Sequence, residues 1–341
     1  MDIDRLSDMA VSAAGLVALA DLPTVAWRTV LRPPSLLDCL IICPVMHRQQ
    51  DAPRLNAGEY PICAAMTTDY IFRIENQATV AFLQRIGRPG QLTTLQVSAK
   101  RKDNDSLFGG LGGSSSDTSL LPGLCYIALI AMTVATVTTL YMLQDWWGFF
   151  VLLNWMLVRL VNTLVMLRRA RQGWKGEPEP GQQSDLLILA SQDRWIRIKG
   201  AVDDVKAVTS GEWLREFTLS ENAFVAFATL LTYANAGLAS NSSPVGQVVL
   251  LVLLCSSGAL LGLANEYTDS LAMYGRVIER VGPRTKYKRR LELAEQLIAE
   301  TGREDWAIKL GMIQRSGSRS GVDSADSSGG ATDAAEVIRE L

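Results

Sequence analysis

Four long apolar windows constrain the fold of this chain more than any other feature of its sequence. The windows cover residues 121–143, 147–167, 223–239 and 245–264. Only one charged side chain, Arg159, lies within them. At ~1.5 Å of rise per residue, helices of these lengths span roughly 26 to 35 Å, which matches the ~30 Å hydrocarbon layer of a bilayer. Because backbone polar groups in hydrocarbon must be satisfied within the segment, the windows predict four transmembrane helices in two hairpins, 121–167 and 222–264.

The distribution of Lys and Arg predicts how these helices cross the membrane. The short links 144–146 and 240–244 contain neither residue, whereas the loop 168–221 and the segment after the fourth window are rich in both. Cytoplasmic loops carry the excess of basic residues in membrane proteins. We therefore expect a multi-pass protein with both termini and the central loop in the cytosol, in a membrane that the sequence does not identify. The aromatic residues expected at the opposite interface are Tyr141, Trp146 and Trp147.

The fold class predicted from this pattern is a mainly α integral membrane protein with a small cytosolic α/β insertion between the two hairpins. The insertion is the central loop 168–221. Within it, residues 185–190 and 194–199 have the composition and alternation of two strands joined by a tight turn. The loop is therefore predicted to contain a β-hairpin.

The segments before and after the helices are also expected in the cytosol. Residues 1–102 form an N-terminal region whose seven prolines limit helix length, and residues 103–120 form a Gly- and Ser-rich flexible linker. Residues 265–315 predict a helical region, and residues 316–341 predict a disordered tail. The two helices expected in the helical region cover residues 270–280 and 287–300.

Two shorter apolar segments, 9–22 and 35–46, are not long enough to span a bilayer. The first is flanked by Asp8 and Asp21 and lacks the basic start of a secretory signal. We expect both segments to be core or membrane-surface helices of the cytosolic N-terminal region. The alternative is a re-entrant or fifth membrane segment.

Arg159 is the intramembrane residue that most invites a functional interpretation, because a charge in hydrocarbon is costly. At 100° per residue it shares a helix face with Trp155 and Asn162, so the three predict a polar seam that faces the bundle. Glu266 and Asp269 are its expected acidic partners. A structural ion pair and a role in binding a substrate or ion both remain open.

The fourth helix contains Gly258 and Gly262 at a spacing that allows two helices to approach closely. The third helix is rich in alanine, so we expect these glycines to pack against it. The alternative is contact between two copies of the chain.

A run of basic residues follows the fourth helix by about twenty positions. Attraction to anionic lipid is one interpretation, and a solvated charge run is the other. The residues of this run are Arg284, Lys286, Lys288, Arg289 and Arg290.

Cys39, Cys43 and His47 are spaced by four residues, and Cys63 follows them. On an unbroken helix the first three would share one face, and three sulfurs with one imidazole would suit zinc. Pro44 interrupts the stretch and no Cys-x-x-Cys pair is present, so packed thiols are favoured over a metal site. Acylation of Cys39 or Cys43 at the membrane surface is a further alternative.

The remaining chemistry of the sequence gives no catalytic motif. His47 is the only histidine, no Gly-x-Ser-x-Gly nucleophile turn occurs, and no cofactor is predicted. A net charge of −2 does not indicate a nucleic-acid partner. The expected partners are membrane lipids, together with a protein partner or a second copy of the chain.

Three stretches carry a resemblance to other proteins: Ser191–Trp195, Val208–Leu214 and Asp305–Gly311. In these stretches the chain resembles uncharacterised multi-pass membrane proteins of filamentous fungi, over roughly residues 120–312. The resemblance implies a membrane location and a fungal source, and it implies no activity.

These observations lead to three functional hypotheses. The first is a non-catalytic accessory, scaffold or interaction component of a membrane. The second is an oligomeric transporter or channel subunit, and the third is a membrane-embedded enzyme that acts on a lipid or terpenoid. An ordered pocket beside Arg159 would favour the second or third, whereas a filled bundle core would favour the first.

Overall fold

A computed structural model describes residues 14–99, 120–171 and 173–314. Its helices are α1 (Thr24–Leu31), α2 (Gln77–Ile86), α3 (Leu121–Met142), α4 (Trp146–Arg169), α5 (Val202–Thr209), α6 (Leu219–Leu238), α7 (Pro244–Glu266), α8 (Arg290–Thr301) and α9 (Asp305–Lys309). Its strands are β1 (Ile62–Ala65), β2 (Tyr70–Arg73), β3 (Gln91–Ala99), β4 (Gln183–Ala190), β5 (Arg194–Ala201), β6 (Ser270–Met273), β7 (Arg276–Arg280) and β8 (Thr285–Lys286). The predicted linker, apart from Leu120, and the predicted tail lie outside the described residues.

Four of these helices, α3, α4, α6 and α7, are long and apolar enough to cross a membrane. They coincide with the four apolar windows of the sequence, and the prediction of a membrane protein with four such helices is confirmed at this level. In the bundle, α3 packs along α7 and α4 packs along α6. The strongest helix contacts therefore join helices from different predicted hairpins.

Asp145 joins the two links at one end of the bundle. Its Oδ1 accepts a hydrogen bond of 3.0 Å from the amide of Gly148, which caps α4. Its Oδ2 accepts bonds of 2.6 Å from the Ser242 hydroxyl and 2.8 Å from the Ser243 amide, in the link between α6 and α7. Burial by itself raises the pKa of this carboxyl, but the bonds from Ser242, Gly148 and Ser243 outweigh it and lower the pKa below its ordinary value. The carboxylate thus ties the two links together.

The strands form one sheet of eight, in the order β2-β1-β4-β5-β3-β7-β6, with β8 beside β3. The predicted hairpin in the central loop is present as β4 and β5, and it lies in the middle of the sheet. Its two neighbours, β1 and β3, both come from the N-terminal region, and β3 runs parallel to β5. The segment after α7 adds β7 and β8 beside β3. The predicted α/β insertion between the hairpins is therefore one part of a larger sheet, to which three segments of the chain contribute strands.

The segment after α7 also differs from its prediction. Residues 270–280, predicted as a helix, form the antiparallel pair β6 and β7. Tyr274 and Gly275 make the turn between them with φ angles of +48° and +70°. Such left-handed backbone favours a tight turn over a continuing helix. The helix expected at 287–300 is present as α8.

Each face of the sheet is covered by helices. Ile196 and Ile198 of β5 pack in the core that includes α2 and α5, whereas Trp195 packs in the core formed with α8 and α9. Met166 of α4 belongs to the first of these cores. The bundle therefore adjoins the α2 and α5 face of the sheet, and α8 and α9 lie on the opposite face.

Part of the predicted cytosolic N-terminal region lies among the long helices. Residues 14–18 are helical, and an alanine Cβ built at Gly15 would come within 2.6 Å of the carbonyl oxygen of Ala236 in α6. The chain then passes through α1 and two 3-10 turns, Leu36–Leu40 and Met46–Asn56, which pack against α4. We call residues 14–56 the inserted segment. This segment packs among the four long helices, and the cytosolic location of residues 1–102 stays a prediction.

Candidate functional site

The inserted segment places polar groups against the middle of α4. Ser35 begins the first 3-10 turn with a capping box, in which the Ser35 amide donates to Asp38 Oδ2 at 2.9 Å and the Ser35 hydroxyl accepts from the Leu37 amide. This local motif fixes Asp38 beside the bundle. The second turn carries Gln49 to the same place.

Arg159 is fully buried at the centre of this arrangement. Its Nε donates a hydrogen bond of 3.2 Å to the carbonyl of Asp38, and its NH1 donates one of 2.8 Å to Gln49 Oε1. Its NH2 nitrogen finds no hydrogen-bond partner among the described residues. Arg159 therefore meets the inserted segment rather than lipid or an open pocket.

Asp38 supplies the carboxylate of the cluster. Its Oδ1 accepts a hydrogen bond of 3.1 Å from the hydroxyl of Tyr126 in α3 and lies 3.8 Å from NH2 of Arg28. The Arg28 guanidinium also lies 5.1 Å from the centre of the Tyr126 ring, in a cation–π contact. The cluster of Arg28, Asp38, Tyr126 and Arg159 thus holds two guanidinium groups and one carboxylate.

The acidic partners expected for Arg159 were wrong. Glu266 lies 3.6 Å from Arg85, at the end of α7, and the carboxylate beside Arg159 belongs to Asp38. The sequence signal that could have found Asp38 is its place in a Ser-x-x-Asp capping box within the apolar segment 35–46. Because that segment is too short to span a bilayer, its length alone does not place Asp38 at the depth of Arg159.

Trp155 and Asn162 are fully buried in α4 together with Arg159. The Asn162 side-chain amide donates to the carbonyl of Val158 at 3.0 Å, and the backbone carbonyl of Asn162 accepts a bond of 2.9 Å from the Gln50 side chain of the inserted segment. The structure therefore places all three predicted residues inside the protein. Their side chains are covered by protein atoms, and the core beside them is filled.

The proposed metal ligands are not brought together. Cys63 lies in β1, where its thiol donates to the carbonyl of Phe72, whereas Cys39 and Cys43 lie in the inserted segment. His47 packs beside the ring of Tyr233, with 5.6 Å between centroids. Across residues 14–99, 120–171 and 173–314, no three His, Cys, Asp or Glu side chains are close enough to share a metal ion.

Gly258 and Gly262 face the inserted segment and not α6. A Cβ built at Gly258 would lie 3.5 Å from Pro44, and one built at Gly262 would lie 3.6 Å from Thr24. The predicted contact with the alanine-rich helix is therefore wrong. The glycines instead let the inserted segment pass close to α7 at Pro44 and at Thr24, where α1 begins.

The basic run after α7 is divided by the fold. Arg284 donates to the carbonyl of Ile86 at the end of α2, and Lys286 lies in β8 beside Gln91. Arg290 forms an exposed ion pair with Asp193. Lys288 and Arg289 are exposed and precede α8.

Comparison with known proteins finds no matching protein family, no matching curated protein and no matching solved structure. The class that the fold itself defines is a protein with four helices able to cross a membrane, joined to one mixed α/β domain.

Proposed function

We propose that this chain is a multi-pass integral membrane protein with a non-catalytic role, an accessory, scaffold or interaction component whose helices hold the α/β domain at a membrane surface. The observation that carries this proposal is the filled core around Arg159. Its guanidinium is bonded to the inserted segment, and Trp155 and Asn162 beside it are equally buried. A transporter, a channel or an enzyme acting on a lipid or terpenoid would need an accessible cavity there.

We further propose that the α/β domain lies in the cytosol and the links 143–145 and 239–243 lie on the other side. The support is the basic composition of the domain's segments and the lack of Lys and Arg in both links. Exposed aromatic rings at Tyr141, Trp146 and Trp147 are typical of a membrane interface. In this topology the inserted segment penetrates the bundle from the side of the domain and is held between the helices.

Cysteine accessibility tests the filled core. In a chain whose five native cysteines are replaced, Asn162→Cys should resist a small water-soluble thiol reagent, whereas Ser240→Cys in the exposed link should react readily. Rapid labelling of Asn162→Cys in the folded protein would contradict the proposal, because it requires a water-filled path to α4.

A replacement that removes the polar pair tests the same role in cells. Arg159→Met combined with Gln49→Leu removes both side chains of the Arg159–Gln49 hydrogen bond. The Asp38 carbonyl, which also accepts from Arg159, keeps its bond from the Ile41 amide. Replacing both partners of a buried polar pair is close to neutral for stability. We expect the double variant to fold and to restore any phenotype of cells that lack the chain. Normal folding with lost function would favour transport or catalysis at Arg159.

A further inference from the structure

A short bulge separates β7 from β8, which pair one after the other with the same edge of β3. Residues 276–280 of β7 pair with residues 95–99, and residues 285–286 of β8 pair with residues 91–92. The Val281 amide still donates to the carbonyl of Thr94 at 3.0 Å, so residues 282–284 leave the sheet between these two pairings. Gly282 turns the chain there with a φ of +73°, and Val281 is 46% exposed beside it. We call residues 280–284 the bulge loop.

The strand register places the bulge loop at the end of a candidate membrane helix. Ser270 pairs with Glu279, so the next position along puts Asp269 beside Arg280. Asp269 follows Glu266, the last residue of α7, by three positions. Because neighbouring strands lie about 4.8 Å apart, Arg280 lies next to the chain as it leaves the bundle.

Positive charge is concentrated at this point. Arg284 is held by its bond of 3.2 Å to the carbonyl of Ile86, and its buried Nε has no hydrogen-bond partner within the described part of the chain. Burial and the nearby charges of Arg280 and Arg88 lower the pKa of Arg284 below its ordinary value, and Asp269 opposes the effect. Arg88 and Arg280 are exposed.

We propose that the bulge loop and Arg88 bind the phosphate groups of anionic phospholipids in the leaflet that surrounds the end of α7. Arg284 is bonded to Ile86, two positions before Arg88, and the register of β7 places Arg280 near the end of α7. Guanidinium geometry matches phosphate oxygens. Val281 gives the same loop an exposed apolar side chain for the interface. The inference depends on α7 crossing a membrane but not on the scaffold role proposed above.

The rest of the basic run has a different setting. Lys288 and Arg289 precede α8, which packs on the face of the sheet opposite the core that contains Met166 of α4. Arg290 is paired with Asp193. The proposed lipid contact therefore includes fewer residues than the basic run of the sequence. It also includes Arg88, which is far from that run in the chain.

Native mass spectrometry of the full chain tests the proposal. The protein in detergent is titrated with phosphatidylserine or phosphatidylcholine, and the apparent Kd of each lipid is measured. Wild type should prefer phosphatidylserine. Arg280→Gln with Arg284→Gln should weaken its binding by roughly twentyfold, since each basic residue near a membrane surface contributes roughly a fivefold factor. Phosphatidylcholine binding should not change.

Lys288→Gln with Arg289→Gln is the matched control, because it removes the same charge on the far face and should alter the Kd less than twofold. Arg88→Gln with Arg280→Gln replaces two exposed side chains and serves if loss of Arg284 impairs folding. Equal losses in the control and test variants, or no lipid preference in wild type, would overturn the proposal. Equally tight binding of soluble glycerophosphoserine would also overturn it, because the site would then take a free phosphate ester.

Discussion

Two glycine-to-alanine replacements at the same depth of the bundle should change stability in opposite directions. A Cβ at Gly15 would lie 2.6 Å from the carbonyl oxygen of Ala236, whereas a Cβ at Gly237 would meet no atom within 4 Å. Relieving the first overlap costs about 1 to 3 kcal/mol, while alanine in a helix gains up to about 1 kcal/mol over glycine. Gly15→Ala should therefore lose about 1 to 2 kcal/mol and Gly237→Ala should gain up to about 1 kcal/mol.

Thermal unfolding of the purified full chain in nanodiscs, followed by tryptophan fluorescence, measures this difference. A domain of this size changes its Tm by about 2 to 4 °C for each kcal/mol, so a difference of about 1 to 3 kcal/mol between the two variants corresponds to about 2 to 12 °C. The sign of each shift relative to wild type is the decisive result. Both replacements are Gly→Ala, so composition and charge do not change between them.

Gly258→Ala provides an internal comparison, because its Cβ would lie 3.5 Å from Pro44, an ordinary contact distance. We expect a change within about 0.5 kcal/mol at this position, although Gly258→Leu should be strongly destabilising. If Gly15→Ala is as stable as Gly237→Ala, residues 14–18 do not pack against α6. Residues 14–18 would then not be inserted among the four long helices.

Two further predictions concern charges outside the spanning helices. Asp145→Asn should lower the free energy of unfolding by about 2 kcal/mol at neutral pH. The pKa of Asp145 is lower in the folded protein than in the unfolded chain, so the ionised carboxylate stabilises the fold above the unfolded pKa. Chemical unfolding should therefore show a constant difference from wild type from about pH 5 to 8 and a smaller one below about pH 4. Arg197→Met should cost about 3 to 5 kcal/mol of stability, because it removes the buried bidentate partner of Asp185, bonded at 2.6 and 2.8 Å. Arg290→Met should cost less than about 1 kcal/mol, because its ion pair with Asp193 is exposed. Similar Tm shifts for the two variants would contradict this reasoning.

The four long apolar helices could be predicted from the sequence because their signal is local. Each apolar window is a continuous run, and the structure places helices there with bounds within about four residues of the windows. The β4 and β5 hairpin could be predicted for the same reason, since the alternation of side chains and the three-residue turn at 191–193 lie within one short stretch. In both cases the residues that decide the structure are neighbours in the chain.

The rest of the sheet could not be predicted in this way. Strand β3 pairs with β5 about a hundred residues later and with β7 further on, so no local pattern records these partners. At 270–280, apolar residues at Leu271, Met273 and Ile278 suit a helix as well as a strand. Only the turn at Tyr274 and Gly275, and the free edge of β3, decide in favour of strands.

The inserted segment shows why polar residues occur within the apolar helices. Irregular backbone at membrane depth must be bonded by protein, and polar side chains of the spanning helices supply these bonds. Ser257 donates to the carbonyl of Ile42, and Asn265 donates to that of Thr24 at 2.8 Å. In the sequence, Ser257 and Asn265 are isolated polar positions of an apolar helix, and the polar seam predicted around Arg159 includes neither of them. Considered together with Arg159, they indicate that the faces of α4 and α7 meet backbone carbonyls of another segment of the chain.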